Sequence, residues 1–337
     1  MKKLFLILSI IIISCEDNNT KNESTELTFI SSEGNFGSSN GSISVYKGEE
    51  QIQKIENVGD VLQSILIHEN KLFAAINGSH MIKIFSISNE GLALPGITIS
   101  TNKSGPREMV IAGNKLYFTN WNTQDIKIFN LTTYIIEDSI KVNGMPEGII
   151  FDGSHLWAAI SMNSDYSAAN TVVKIDPNSK SIIQEYKVGK GPHALELRND
   201  ILLITTRYYD ENYETFIGSS AIDIKSNQIE ISEYGKGGAA CAGDILVFNQ
   251  ALYRTFDGGA VPLNFDTSIA LSEKIGSYGD KNLYSAFANE EYIFFGLTDY
   301  QEPDTVKVHD KNGQLMFELK TGASPGDYAT WININNN

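Results

Sequence analysis

Cysteine is almost absent from this 337-residue chain. The two present, Cys15 and Cys241, stand more than two hundred residues apart, so no disulfide framework is indicated. Histidine is scarce as well, and neither a His-Glu-x-x-His string nor a cysteine cluster occurs, which removes the usual spacings of a zinc centre. Basic residues are outnumbered: 26 Lys+Arg face 41 Asp+Glu, for a net charge of -15. Such a balance repels nucleic acid and anionic lipid headgroups. No stretch holds a sustained 3.6-residue apolar period, which argues against a helical fold. Long apolar runs are missing too, apart from Leu4 to Ile13, broken by Ser9. That run is shorter than the ~20 residues a spanning helix needs.

The apolar run follows Lys2 and Lys3, and a basic start before a short apolar stretch describes a secretory signal peptide. Ile12-Ile13-Ser14-Cys15 resembles the lipobox of bacterial lipoproteins. The resemblance implies cleavage after residue 14, a lipid on the Cys15 thiol, and attachment to the membrane by that anchor alone. Loss of Lys2 and Lys3 takes the net charge from -15 to -17. Residues 15–26 are then a polar tether without apolar period. Glu16 and Asp17 directly after the cysteine resemble the surface-export signal of Bacteroidetes lipoproteins, which implies an outward-facing place on the outer membrane.

What fills the remaining chain is a repeat. A Gly-containing corner, a short apolar strand, a tight polar turn and a strongly apolar strand recur. The clearest copies are Gly105 to Phe118, Met145 to Ala158 and Gly191 to Ile204; weaker ones start at Gly59, Gly235 and Tyr278. With a last corner at Gly322 to Pro325, the corners fall every 40 to 46 residues. Two further strands follow in most copies, such as Asp125 to Phe129 with Ile135 to Val142, divided by turn signals like Asp176-Pro177-Asn178. A four-stranded antiparallel unit repeated at this period is a propeller blade.

The termini complete the count. Leu27 to Ser32, Ser42 to Tyr46 and Gln51 to Glu56 match a second, third and fourth strand with no first before them. Tyr328 to Asn333 supplies the missing one. The expectation is therefore an all-β, seven-bladed β-propeller over residues 27–334, six full copies and one blade shared by the two ends, closed without free sheet edges.

The corner-strand-turn-strand repeat resembles the YncE-like, YVTN-repeat propellers. Glu33-Gly34-Asn35-Phe36-Gly37 with Asn40-Gly41-Ser42-Ile43 is similar to the opening of Bacteroidetes surface propeller lipoproteins. One branch of these, the BtuG-type proteins, captures vitamin B12 and hands it to a TonB-dependent transporter. The resemblance implies a binding protein with a small-molecule ligand, a corrinoid first among them, and a transporter partner, with no cofactor of its own.

Propeller topology puts the corners and the second-to-third-strand loops on one face. The first-to-second turns, such as Gly113-Asn114 and Asn199-Asp200, fall on the other and read as scaffold. The loop face carries aromatics and donors: Phe36, Trp121, Tyr166, the run Arg207-Tyr208-Tyr209, and Tyr300, with Arg107 and His193 from the corners. Aromatic planes with scattered cations suit a large, partly flat ligand. Taken singly, an aromatic at a strand end more often packs between blades. Asp60, Glu108, Glu147, Asp280 and Tyr328 are the remaining polar corners.

No catalytic or metal-binding set is expected. Only His80 and His193 share the loop face, in non-adjacent blades, while His68 and His155 fall at scaffold turns and His309 in an outer strand. Propeller lyases and lactonases place His or carboxylate clusters in the central funnel, so the acidic corners keep an enzyme as the alternative, beside a protein-interaction scaffold. Cys241, between two alanines, reads as a small core residue.

Overall fold

A computed structural model describes residues 24–237, 243–279 and 282–334. The lipidation site Cys15, residues 16–23 of its tether, Cys241, and the corner residue Asp280 lie outside the described residues; Ser24, Thr25 and Glu26, expected in the tether, already belong to the first strand, where they pair with the C-terminal one. Seven antiparallel sheets follow one another along the chain, and their innermost strands touch in sequence around a closed ring. This is the seven-bladed propeller that the repeat implies.

Closure uses both ends of the chain. The strand Pro325–Ile334 is the innermost of the first blade and pairs with Ser24–Ser32, in register from Ser24↔Ile334 to Ser32↔Pro325. Glu50–Gly59 forms that blade's outer edge. The ring is thus held by main-chain hydrogen bonds between segments some three hundred residues apart.

The expected four-strand repeat is interrupted in the second blade, whose outer position is split between Gly91–Leu92 and Ile97–Ser100, both paired with Met81–Ser88, and it fails in the sixth. The sixth blade has three strands, Ile245–Phe248, Ala251–Phe256 and Gly259–Pro262, rather than four. Beyond them the described residues form the isolated bridges Ala260↔Ile275 and Leu263↔Ile269. Between Pro262 and Ile275 the chain carries Asn264, Asp266, Thr267 and Ser268, which bond to one another in a turn instead of alternating apolar with polar.

Side chains alternate across each strand, so neighbouring residues of a second strand serve two different cores. Tyr117 packs toward the fourth blade and Phe118 toward the second. Leu156 and Trp157 divide in the same way, as do Phe294 and Phe295. The hydrophobic core is therefore seven separate layers between blades. The layer between the fifth and sixth blades has the fewest buried apolar residues, and beside it Arg254 is fully buried. Its Nη1 donates to Ser219 Oγ at 2.9 Å and to the Gly218 carbonyl, and its Nε to the Thr255 carbonyl at 3.2 Å.

Buried hydroxyls tie the innermost strands together. Thr119 Oγ1 accepts the Glu108 N–H at 3.0 Å and donates to the Glu147 carbonyl of the next blade at 2.8 Å. Thr205 repeats this between Ala194 and Gly243. Ser64 and Ser285 donate likewise to Arg107 and Pro325 carbonyls.

Candidate binding funnel

Where the innermost strands meet, a cavity of about 810 Å³ opens on the loop face, and all seven blades contribute to its wall. That volume is in the range of small-molecule sites.

Its floor is built from the first residues of the innermost strands. Arg107 of the third blade forks onto Glu147 of the fourth, Nη2 to Oε1 at 2.6 Å and Nε to both carboxylate oxygens at 3.1 and 3.2 Å. Nη1 donates to Gln63 of the second blade. The guanidinium carbon lies 4.0 Å from the Trp121 ring centroid, a cation–π contact. His193 of the fifth blade places Nε2 3.7 Å from Glu147. Burial lowers the His193 imidazole to about 4, so it is neutral at pH 7. Burial alone would raise Glu147, but Arg107 outweighs it and holds the carboxyl below its ordinary value.

Four more carboxyls surround this pair: Glu33, Glu108, Asp244 and Asp327. Asp327 Oδ2 accepts the Ile65 N–H, and Asp244 Oδ2 the Ala286 N–H, each at 2.7 Å and each from the next blade. Burial nevertheless raises Asp327 to about 6 and Asp244 to about 7. Glu33 is raised to about 7 by burial, against the pull of Arg107 and a hydrogen bond from Tyr284. Glu108 is pushed well above the carboxylate range by burial and by the charges of Asp327 and Glu147. These groups touch the cavity, yet the surrounding wall removes most of the water that would screen them.

The upper wall is aromatic. Arg207, Tyr208 and Tyr209, expected in a loop, are the end of the strand Ile201–Tyr209, paired through Tyr209↔Thr215 with its neighbour Thr215–Asp223. This long hairpin carries them above the floor. Tyr208 stacks on Phe216 at 5.3 Å and donates its hydroxyl to Glu233 at 2.9 Å. The Arg207 guanidinium lies 5.3 Å from the Tyr209 ring centroid and has no acidic partner among the described residues. Tyr166, at left-handed φ in the fourth blade's loop, and Tyr213 are largely exposed at the mouth.

Of the aromatics and cations expected on the loop face, Arg107, Trp121, Tyr166 and His193 line the cavity, as do Arg207, Tyr208 and Tyr209. Phe36 and Tyr300 do not. The loop holding Phe36 is pinned outward, with Gly37 N–H on Asp60 Oδ1 and Asn35 Nδ2 on the Tyr300 carbonyl, both at 2.8 Å, and Phe36 is 87% exposed. Tyr328 is a core residue, stacked on Phe287. His309 is in the third strand of its blade, Asp304–His309, with its ring bonded to Tyr278 and to the Gly313 carbonyl.

Sequence reasoning missed Gln63, Asp244, Tyr284 and Asp327, and gave Glu33 no role in the site. A signal existed: Arg107, Glu147 and His193 each follow a corner proline, and Glu108, Asp244 and Asp327 come one position later in the repeat. Also overlooked was Gly37-Ser38-Ser39-Asn40-Gly41, which has the spelling of a nucleophile elbow. It lies between two strands, Ser24–Ser32 and Gly41–Lys47, rather than at a strand-to-helix turn, so it is not one. Among the described residues no three His, Cys, Asp or Glu side chains are placed to hold a metal ion. The opposite face is not flat: a second hollow, of about 980 Å³, opens among Asn199, Asn249 and Asn289.

No family model and no curated protein matches this sequence. Solved structures do. A "hypothetical selenium-binding protein" from Sulfolobus tokodaii superposes with a TM-score of 0.68 at 10% identity, covering 94% of each chain. A "putative 6-phosphogluconolactonase" from Bacteroides uniformis gives 0.66 at 13% identity, over 91% of this chain and 99% of that one. Apo AztD from Citrobacter koseri gives 0.59 at 11% identity, over 92% and 98%. At these identities the likeness is one of fold.

Proposed function

We propose that the protein is a lipid-anchored capture protein at the bacterial surface, which binds a nutrient ligand in the funnel without converting it. The observation that carries this reading is the cavity itself: a mouth of tyrosines above a floor of enclosed polar groups, with contributions from every blade. Rigid aromatic walls with a few fixed polar groups characterise ligand sites. The opening Glu33 to Ile43 and the Ser14-Cys15 lipobox make a corrinoid, passed on to a TonB-dependent transporter, the first ligand to test. A flat, amide-fringed macrocycle suits tyrosine walls and carboxyls near their midpoint of protonation. Calorimetric titration of the mature protein with cyanocobalamin should show micromolar binding that Trp121→Ala weakens. Absence of heat removes the corrinoid. For the anchor, Cys15→Ser should release the protein from the membrane fraction.

An enzyme is the second reading, because Glu33 and Asp244 are raised to about 7, where a carboxyl serves as an acid or base at neutral pH. The neighbours named for 6-phosphogluconolactone suggest the assay. The acidic floor opposes a phosphorylated substrate, so no hydrolysis of 6-phosphogluconolactone is expected. Turnover abolished by Glu33→Gln would reverse this order.

A further inference from the structure

The funnel floor is rich in hydrogen-bond acceptors, and its guanidinium is already engaged. Five carboxyls face it, Glu33, Glu108, Glu147, Asp244 and Asp327, against Arg107, while Arg207 belongs to the wall above. Arg107 is fully committed, its nitrogens on Glu147 and Gln63 and its face on Trp121. Asp244 and Asp327 each have one oxygen on a main-chain N–H, and Glu33 has the Tyr284 hydroxyl. Glu108 differs. It occupies the same repeat position as Asp244 and Asp327 but is longer, and its carboxyl accepts no hydrogen bond and pairs with no cation within salt-bridge distance among the described residues. It is partly buried, and it lines the cavity. A carboxyl sheltered in a cavity without a partner is costly, and what it lacks is a donor coming from the cavity side.

We propose that the floor receives the positively charged end of the ligand, an ammonium or amidinium group donating to Glu108 and its neighbours, while the ligand's flat part lies against Trp121 and the rim tyrosines. This rests on the reading that the funnel is the ligand site. An organic cation fits better than a metal ion, because no three of these side chains converge at coordinating geometry among the described residues. An ammonium spreads three N–H donors and a guanidinium five over the acceptors around it.

The test is calorimetry on the mature protein with tryptamine and with indole-3-propionate, which share a ring and differ in the charge of the tail. Tryptamine should bind at least about tenfold more tightly. The isosteric Glu108→Gln should weaken tryptamine by about tenfold or more while leaving or raising the melting temperature, since it removes a carboxyl that has no partner. Equal or tighter binding of indole-3-propionate overturns the proposal, as does silence of tryptamine at millimolar concentration. So does an unchanged affinity in a folded Glu108→Gln. Should that variant fail to fold, the pair of probes on the unmodified protein still decides. Cyanocobalamin binding that Trp121→Ala weakens, with tryptamine silent, sinks the cation assignment and leaves the funnel reading intact. Tryptamine binding untouched by both Trp121→Ala and Glu108→Gln places the ligand elsewhere and removes the funnel reading itself.

Discussion

Arg107 and Glu147 join the third and fourth blades by a forked ion pair, 2.6 Å at its shortest, whose side chains are 13% and 1% exposed. The pair sits beneath the funnel mouth, so one interaction both ties two blades and sets the charge of the floor. Breaking a buried pair by removing one partner strands the other charge. Arg107→Met should therefore destabilise by about 3 kcal/mol or more. The double variant Arg107→Met/Glu147→Leu should recover much of that loss. Urea denaturation of the single and double variants measures the difference, and additive losses would show that the two charges do not depend on each other.

Stability should fall as pH rises through neutrality. Glu33 and Asp244 are raised to about 7 and Asp327 to about 6, all above their ordinary values of 4.5 and 3.8. The folded state therefore holds protons that the unfolded chain has released, and this contribution, full at low pH, is lost as pH climbs through those folded values. His193 acts in the opposite sense. Lowered from 6.5 to about 4, it favours the folded state as pH rises to 6.5 and adds nothing further above. The slope above 6.5 belongs to the carboxyls, and Glu33→Gln should flatten it. Melting temperature against pH reads this directly, and an unchanged slope in that variant would remove Glu33 from the account.

The ring should not survive loss of its closing strand. Deletion of residues 325–337 removes every partner of Ser24–Ser32 on its inner side and bares two sheet edges. Trp331, packed in the layer between the first two blades with Nε1 on Asn70 at 3.1 Å, is a local probe. Trp331→Ala should cost ~3–5 kcal/mol. Circular dichroism of the truncated chain should show loss of the cooperative melt.

Binding energy should concentrate in a few anchors. For any ligand found in the funnel, Trp121→Ala or Tyr209→Ala should cost ~2 kcal/mol, about thirtyfold in affinity. Asn114→Ala, at a turn on the opposite face, should change nothing. Phe36→Ala, in a loop held outward, should also leave affinity unchanged. Titrations of the four variants separate these cases, and a large effect at Asn114 would reverse the faces.

The blade count, the shared first blade and the face on which Trp121 and Arg207 fall were all legible in the sequence. They follow from a period of corners and from strand direction, which are local properties. The missing fourth strand of the sixth blade was less legible, because the bulk of the repeat outweighs one stretch of polar turn residues between Pro262 and Ile275.

By itself, the sequence determined the alternation that divides Tyr117 and Phe118 between two cores, and the repeat that stacks such strands into blades. These depend on two-residue and forty-residue periods along one chain. Only the tertiary structure decided which polar groups share the funnel floor. Glu33, Arg107, Glu108, Glu147, Asp244 and Asp327 come from four blades and are scattered over almost three hundred positions, each unremarkable beside its sequence neighbours. Ring closure brings them together and excludes most of the water between them, and that enclosure raises Glu33, Asp244 and Asp327 to between about 6 and about 7 while Arg107 holds Glu147 below its ordinary value.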